Sequence, residues 1–165
     1  MKFFGGYAYQ GFWSDDSSTN TNGWDASFTV YPAKYLGITA DISVQHKGAS
    51  AYPFEYSSHV YTYLFGPTLP IETEGMQRLK TKAFVHALLG ASSVKDDTGA
   101  FGASYFSSTN NPFVIAFGGG VDVEIAKHWS LRLVQADYLQ YRYTAVDSDI
   151  AVNSFRYSPG VVFKF

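Results

Sequence analysis

Counting back from the last residue, every second side chain is apolar: Phe165, Phe163, Val161, Pro159, Tyr157 and Phe155. Between them stand Lys164, Gly160, Ser158, Arg156 and Ser154. Neighbouring side chains on a β-strand point to opposite faces, so this stretch predicts a strand with one oily and one polar face that runs to the final residue. Such a strand needs a sheet that closes on itself, leaving no open edge, and an outer face that meets lipid rather than water.

The same alternation recurs along the chain and predicts seven further strands. The first sets Phe3, Gly5, Tyr7, Tyr9, Gly11 and Trp13 against Lys2, Gly6, Ala8 and Gln10. The second sets Trp24, Ala26, Phe28 and Val30 against Asp25, Ser27, Thr29 and Tyr31, and the third sets Leu36, Ile38, Ala40, Ile42 and Val44 against Gly37, Thr39, Asp41, Ser43 and Gln45. The fourth places Tyr61, Tyr63, Phe65, Pro67 and Leu69 opposite Thr62, Leu64, Gly66 and Thr68. The fifth places Ala83, Val85, Ala87, Leu89 and Ala91 opposite Lys82, Phe84, His86, Leu88 and Ser92. In the sixth, Phe113, Ile115, Phe117, Gly119, Val121, Val123 and Ile125 oppose Ala116, Gly118, Gly120, Asp122 and Glu124. The seventh slips phase, and a β-bulge near Leu133-Val134 is needed to keep Arg132, Gln135 and Asp137 on one side.

Connections alternate in kind. Polar stretches at Ser14–Asn22, His46–Ser58, Ser92–Asn111 and Thr144–Asn153 read as long loops, and Tyr31–Lys34, Pro70–Lys80 and Ala126–His128 as tighter links. Long and short links in strict alternation give an all-β, eight-stranded, antiparallel up-and-down barrel, with both termini on the short-link side. Residues 1–165 then form a single domain. No run approaches the ~20 apolar residues of a spanning helix.

No charge falls on any apolar face assigned above, as a hydrocarbon surrounding would enforce. Charged residues are 16% of the chain and aromatics 18%, a balance suited to an apolar band with aromatic girdles. Trp13, Trp24, Tyr35 and Trp129, with Tyr138 and Tyr141, fall toward strand ends, where an apolar ring body and polar tip suit a membrane interface. The lumen then receives a balanced set, with Lys2, Lys82, Arg132, Arg156 and Lys164 against Asp25, Asp41, Asp122, Glu124 and Asp137. With the faces reversed, the same pattern would describe a soluble barrel around an apolar ligand.

The spacing of Ser158, Gly160, Phe163 and Phe165 resembles the C-terminal assembly signal of bacterial outer-membrane barrels. Other motifs carry the resemblance along the whole chain: Asn22-Gly23-Trp24-Asp25-Ala26-Ser27, Leu36-Gly37-Ile38-Thr39-Ala40-Asp41, Tyr63-Leu64-Phe65-Gly66-Pro67, Phe84-Val85-His86-Ala87-Leu88-Leu89-Gly90, Gly118-Gly119-Gly120-Val121-Asp122-Val123 and Leu131-Arg132-Leu133-Val134-Gln135-Ala136-Asp137-Tyr138. The chain resembles the small outer-membrane β-barrel domain family of Gram-negative bacteria, OmpA/OmpX-like in architecture. That resemblance implies a monomer in the outer-membrane bilayer, inserted by the barrel-assembly machinery through its C-terminal strand. The opening Met1-Lys2-Phe3-Phe4-Gly5-Gly6 lacks the apolar core of a signal peptide, so the sequence reads as a chain without its leader, and the peptidoglycan-binding domain that many relatives carry is not expected here.

The dense polar constellation is Lys82, His86, Asp122, Glu124, Arg132, Gln135, Asp137 and Arg156. It reads as a salt-bridged lumen filling, since ions inside a narrow barrel must be paired. A pore or gate lined by the same residues is the rival reading. His128-Trp129-Ser130 invites comparison with lipid A deacylases, but Ser130 points inward by parity and no outward carboxylate stands near. His46, Glu55 and His59 on one predicted loop are weak as a metal site. Gly118-Gly119-Gly120 lacks the Lys-Ser/Thr of a phosphate loop. Asp15-Asp16 and Asp96-Asp97 do not fit a calcium loop. With no cysteine, no basic cluster and a formal charge of −2, neither thiolate chemistry nor nucleic-acid binding is expected, and no cofactor is implied. The longest loop, Ser92–Asn111, carries Phe101, Tyr105 and Phe106 and is the candidate surface for an extracellular ligand.

Overall fold

The computed structural model describes residues 1–14, 17–51, 54–71, 80–100, 103–144 and 149–165, with some side chains at the hairpin tips left aside. The strands are β1 (Lys2–Ser14), β2 (Ser17–Ala33), β3 (Leu36–Ala51), β4 (Phe54–Ile71), β5 (Thr81–Ala100), β6 (Ala103–Asn110), β7 (Phe113–Ala126), β8 (Trp129–Thr144), β9 (Asp149–Tyr157) and β10 (Gly160–Lys164). Every pairing is antiparallel, β5 pairs with both β6 and β7 and β8 with both β9 and β10, and β9 and β10 return to β1, closing the sheet. β6 and β7 form one stave interrupted at Asn111-Pro112, and β9 and β10 another interrupted at Ser158-Pro159, so the ten segments make an eight-stranded barrel. Proline has no N–H to give a ladder, yet both breaks stay tied in. The carbonyls of Pro112 and Pro159 accept from Ser92 N at 3.0 Å and Tyr7 N at 3.1 Å.

Both termini meet at one end, where Phe165 N donates to Met1 O at 3.2 Å. At this end Ala33 pairs with Leu36 and Ala126 with Trp129, leaving two-residue turns at Lys34-Tyr35 and Lys127-His128. The predicted link Pro70–Lys80 is shorter in part, because β4 runs to Ile71; residues 72–79 lie outside the described residues.

The opposite end departs from the sequence reading. The stretches expected to be loops are largely ladder, with pairing continuing to Ser14 with Ser17, Ala51 with Phe54, Ala100 with Ala103, and Thr144 with Asp149. A Ser/Thr/Asn-rich hairpin lacks an apolar face because neither face meets a core, but its backbone still pairs. Asp15, Asp16 and Phe101 lie outside the described residues, as do the side chains of Asp96, Asp97, Tyr105 and Phe106.

The bulge falls where the alternation requires it. Val121 pairs with Val134 and Asp122 with Arg132, so Leu133 is the extra residue on β8. It keeps Arg132, Gln135 and Asp137 buried while Leu131 and Leu133 face out. Facing is unambiguous elsewhere too, since Phe65, Phe117 and Leu89 are 60%, 58% and 54% exposed on the outer wall while Asp137 and Arg156 inside are 0%. The soluble barrel with its apolar face turned inward is thereby excluded. Among the described residues there is no helix long and apolar enough to cross a membrane; the apolar outer wall is built from strands.

Two corrections concern the interior. Tyr141, expected at an interface, is buried inside and donates nothing to the outer belt. Nor is the lumen polar throughout: Val60, Leu64, Leu88, Val114, Ala116, Leu139 and Tyr141, from β4, β5, β7 and β8, form one packed apolar cluster nearer the hairpin end, with Phe12, Val94, Tyr143 and Val152 against it and buried Gln10, Thr62 and Ser154 beside it. Leu64 and Leu88 already stand at inward parity in the sequence, which was the available sign of this cluster.

Candidate functional site in the barrel lumen

Below the apolar cluster the lumen holds a continuous polar network. Its centre is Arg156 on β9, fully buried. The Arg156 guanidinium donates to Asp137 Oδ2 from Nη2 at 2.8 Å and from Nε at 3.1 Å, and to Asp41 Oδ1 from Nη1 at 3.0 Å. Asp25 Oδ2 stands 3.8 Å from Nε. Three carboxylates from β2, β3 and β8 thus converge on one cation carried by β9. A planar guanidinium with a fork of fixed donors can serve several partners at once, which an ammonium point charge cannot do with the same geometry.

Asp137 also accepts from Gln135 Nε2 at 2.8 Å and from His86 Nε2 at 2.8 Å. Gln135 Oε1 in turn accepts from Arg132 Nη1 at 2.6 Å, and Arg132 Nε donates to Asp122 Oδ1 at 2.7 Å. Lys2 Nζ lies 3.6 Å from Asp122 Oδ2. Arg132 is sandwiched between rings, 4.2 Å from the centroid of Phe4 and 4.4 Å from that of Phe84. Aromatic faces favour a cation there, most of all away from water. Next to Arg132, Thr29, Thr39 and Thr68 run a hydroxyl ladder across three strands, with oxygen separations of 2.8 and 2.6 Å.

Of the eight residues singled out from the sequence, the structure brings together His86, Asp122, Arg132, Gln135, Asp137 and Arg156. It leaves Lys82 and Glu124 apart from them. Lys82 is exposed at the terminal end, and Glu124 pairs with Lys164 at 2.9 Å on the rim. Both sit at the last turn of alternation before the strands end, so inward parity there leads to water rather than into the lumen. Asp25, Asp41, Phe4 and Phe84 complete the network.

The triple glycine has a role that its sequence conceals. His86 on β5 and Asp137 on β8 are not on adjacent strands, because β7 runs between them with Gly118 paired to both. A Cβ on Gly118 would strike Asp137 Oδ1 and the carbonyl of Ala136. Only a residue with no side chain lets His86 reach across the intervening strand. Gly118→Val is therefore expected to sever the His86–Asp137 contact and to destabilise the barrel by about 1–3 kcal/mol, the range for overpacking a tight interior. Denaturant midpoints of unfolding, compared with Gly5→Val as a control on the outer face, where a Cβ meets only the Phe3 ring edge at 3.8 Å, check this.

The four residues of the C-terminal spacing lie at the closure seam. Ser158 is buried and its N–H donates to Gln135 O at 2.9 Å. Gly160 pairs with both Gly6 and Arg132, and a side chain there would meet the Gly5 carbonyl and the Phe4 ring. Phe163 stacks edge-on with Trp129 at 4.9 Å and with Phe165 at 4.8 Å. Tyr35 stands exposed on its turn beside Lys34. At the other end of the wall, Trp13 lies 6.4 Å from Tyr138, and Trp24 pairs with Tyr7, whose hydroxyl donates to Asn22 at 2.7 Å. The outer wall thus carries aromatic residues toward both ends with an apolar zone between.

In structure the chain is similar to Ail, the attachment invasion locus protein of Yersinia pestis, with a TM-score of 0.66 at 18% identity over 98% of this chain and 97% of that one. It is similar also to Neisserial surface protein A, with a TM-score of 0.65 at 18% identity over 99% and 96% of the two chains. The chain has the fold of the small outer-membrane β-barrels. The outer membrane protein OprG of Pseudomonas aeruginosa shares it, with a TM-score of 0.55 at 11% identity over 99% of this barrel and 94% of that chain. No family model matches the sequence, and no curated protein matches it.

Among the described residues, the chemistry that the sequence motifs raise finds no assembled site. His128 is exposed on its turn while Ser130 is buried in the lumen, so base and hydroxyl lie on opposite sides of the wall. Among the described residues no group of three His, Asp or Glu side chains is placed to hold a metal ion.

Proposed function

We propose that the protein is a monomeric, non-conducting barrel of the bacterial outer membrane that catalyses no reaction and offers its hairpin end to molecules outside the cell. The observation that carries this reading is that buried side chains fill the lumen at two levels, an ionic network and, above it, an apolar cluster packed against buried polar residues. Leu88, Val114, Ala116 and Leu139 are 0% exposed in the apolar cluster, directly above an ionic network whose Arg156 is also 0% exposed. An ion crossing the barrel would have to part a salt-bridged cluster and then a packed section where the apolar cluster lies against hydrogen-bonded Gln10, Thr62, Tyr141 and Ser154, and forcing a bare charge between buried side chains is costly.

Surface contact is supported by the hairpins β1–β2, β3–β4, β5–β6 and β8–β9, which carry paired backbone beyond the apolar wall and so form ordered, projecting ribbons. Ail, of the same fold, is an attachment invasion locus protein and has been crystallised with the heparin analogue sucrose octasulfate. The ribbon spanning Ser92–Asn111 is the first candidate for contact here. The seam residues Ser158, Gly160, Phe163 and Phe165 are proposed as the strand presented to the barrel-assembly machinery.

Planar-bilayer recording tests the closed lumen. The wild-type barrel is expected to give no steady conductance, and neutralising Arg132 or Glu124 to give none either. Regular unitary steps from the wild-type protein that change on either substitution would establish a narrow channel instead.

A further inference from the structure

On the outer side of the apolar cluster, the barrel mouth contains a cavity of about 230 Å³. Its wall draws on six strands: Phe12 from β1, Thr19 from β2, Lys47 from β3, Val60 from β4, Val94 from β5 and Tyr143 from β8. Val60, from the buried cluster, and Phe12, 5.4 Å from the Tyr141 ring, make part of the floor apolar, and Thr21 and Ser58 line the same cavity with hydroxyls. One wall is cationic. Lys47 Nζ donates to Thr19 Oγ1 at 3.2 Å, and among the described residues no carboxylate pairs with it. The two histidines nearby do not share the cavity. His46 and His59 pair across β3 and β4 with ring centroids 4.5 Å apart, on the outer face.

A cup lined by apolar side chains and hydroxyls, with one ammonium that no carboxylate among the described residues pairs, is complementary to a molecule that joins a largely apolar body to an anion. Size narrows the class: a protein cavity of about 150 Å³ accommodates benzene, so 230 Å³ admits a single ring or short chain bearing a small acidic group. The cavity is at the water-facing mouth of the lumen, bounded below by buried side chains. A free small molecule can reach it from outside, whereas a membrane lipid would have to leave the bilayer to do so. We propose that this mouth is a binding site for small apolar monocarboxylates, with Lys47 holding the carboxylate and Phe12, Val60, Val94 and Tyr143 enclosing the apolar body. The site goes beyond surface contact through the hairpins and does not depend on it.

Phenylacetate, titrated into the full chain folded in nanodiscs of zwitterionic lipid and followed by NMR shifts, is the probe. Phenylacetamide serves as its uncharged counterpart. Lys47→Met keeps the apolar volume and removes the ammonium, and should weaken phenylacetate at least about tenfold, the scale of a lost charge-assisted hydrogen bond, while leaving phenylacetamide almost unchanged. Val94→Phe fills the cup without touching the charge and should abolish both. Unboiled gel mobility verifies that each variant is folded. Saturable phenylacetate binding with this pattern of losses supports the assignment. No saturable binding by the wild-type barrel, or equal phenylacetate binding by wild type and Lys47→Met, overturns it.

Discussion

Arg156→Leu is expected to destabilise the barrel by about 3–5 kcal/mol, the range for removing one partner from a buried ionic cluster. The size of the effect comes from what remains. Leucine fills much of the volume, but Asp25, Asp41 and Asp137 are left facing one another in a site from which water is excluded, and Asp137 keeps only Gln135 and His86. Asp25→Asn makes the opposite prediction. It removes one of three carboxylates that share a single guanidinium, and Asp25 is buried with neither oxygen in a hydrogen bond, so the desolvation it relieves should largely offset the attraction it loses and stability should change by only about 1 kcal/mol. Urea unfolding in lipid vesicles, read as loss of the fast-migrating band on unboiled gels, measures both. A loss below about 1 kcal/mol for Arg156→Leu would mean that the lumen is wet and the cluster solvated.

The second large effect belongs to the outer wall. Phe117 and Leu89 stand near the middle of β7 and β5, more than half exposed and ringed by other apolar side chains. If that wall touches hydrocarbon, Phe117→Arg costs ~2–4 kcal/mol near the midplane and correspondingly less toward the rims. Ile125→Arg, at the terminal end of β7, should therefore cost far less than Phe117→Arg. In water the two substitutions would be nearly equal, and neither would matter much. Equal small effects in vesicles would remove the argument for lipid on this face.

The two halves of this account were not equally legible in the sequence. Strand period, facing and closure were readable because a bilayer leaves no freedom: Leu36, Ile38, Ala40, Ile42 and Val44 alternate without exception against polar partners. The bulge at Leu133 was readable for the same reason, since without it Gln135 and Asp137 would enter lipid. Outside the bilayer that constraint lapses. The hairpin ribbons could not be told from loops, because a two-stranded ladder with water on both faces imposes no pattern on its side chains.

Within the lumen, parity shows which residues point inward but not which of them meet. Lys82 and Glu124 have the right parity at the wrong depth. Tyr141 follows the aromatic rule for an interface residue, yet its phase on β8 turns it inside. That Gly118 serves as a bridge between His86 and Asp137 depends on knowing that β5 and β8 flank β7, and so on topology. The cup above the apolar cluster is assembled from six strands and leaves no local trace at all. Lys47 in the sequence is one more loop charge.

The central claim is that these strands close into a barrel whose outer face requires lipid. Refolding the chain separately in detergent and in plain buffer, then comparing boiled and unboiled samples on a denaturing gel, tests it most directly. A compact species that migrates differently until boiled, and forms only with detergent, is the predicted result. A folded, monodisperse protein in plain buffer would contradict it.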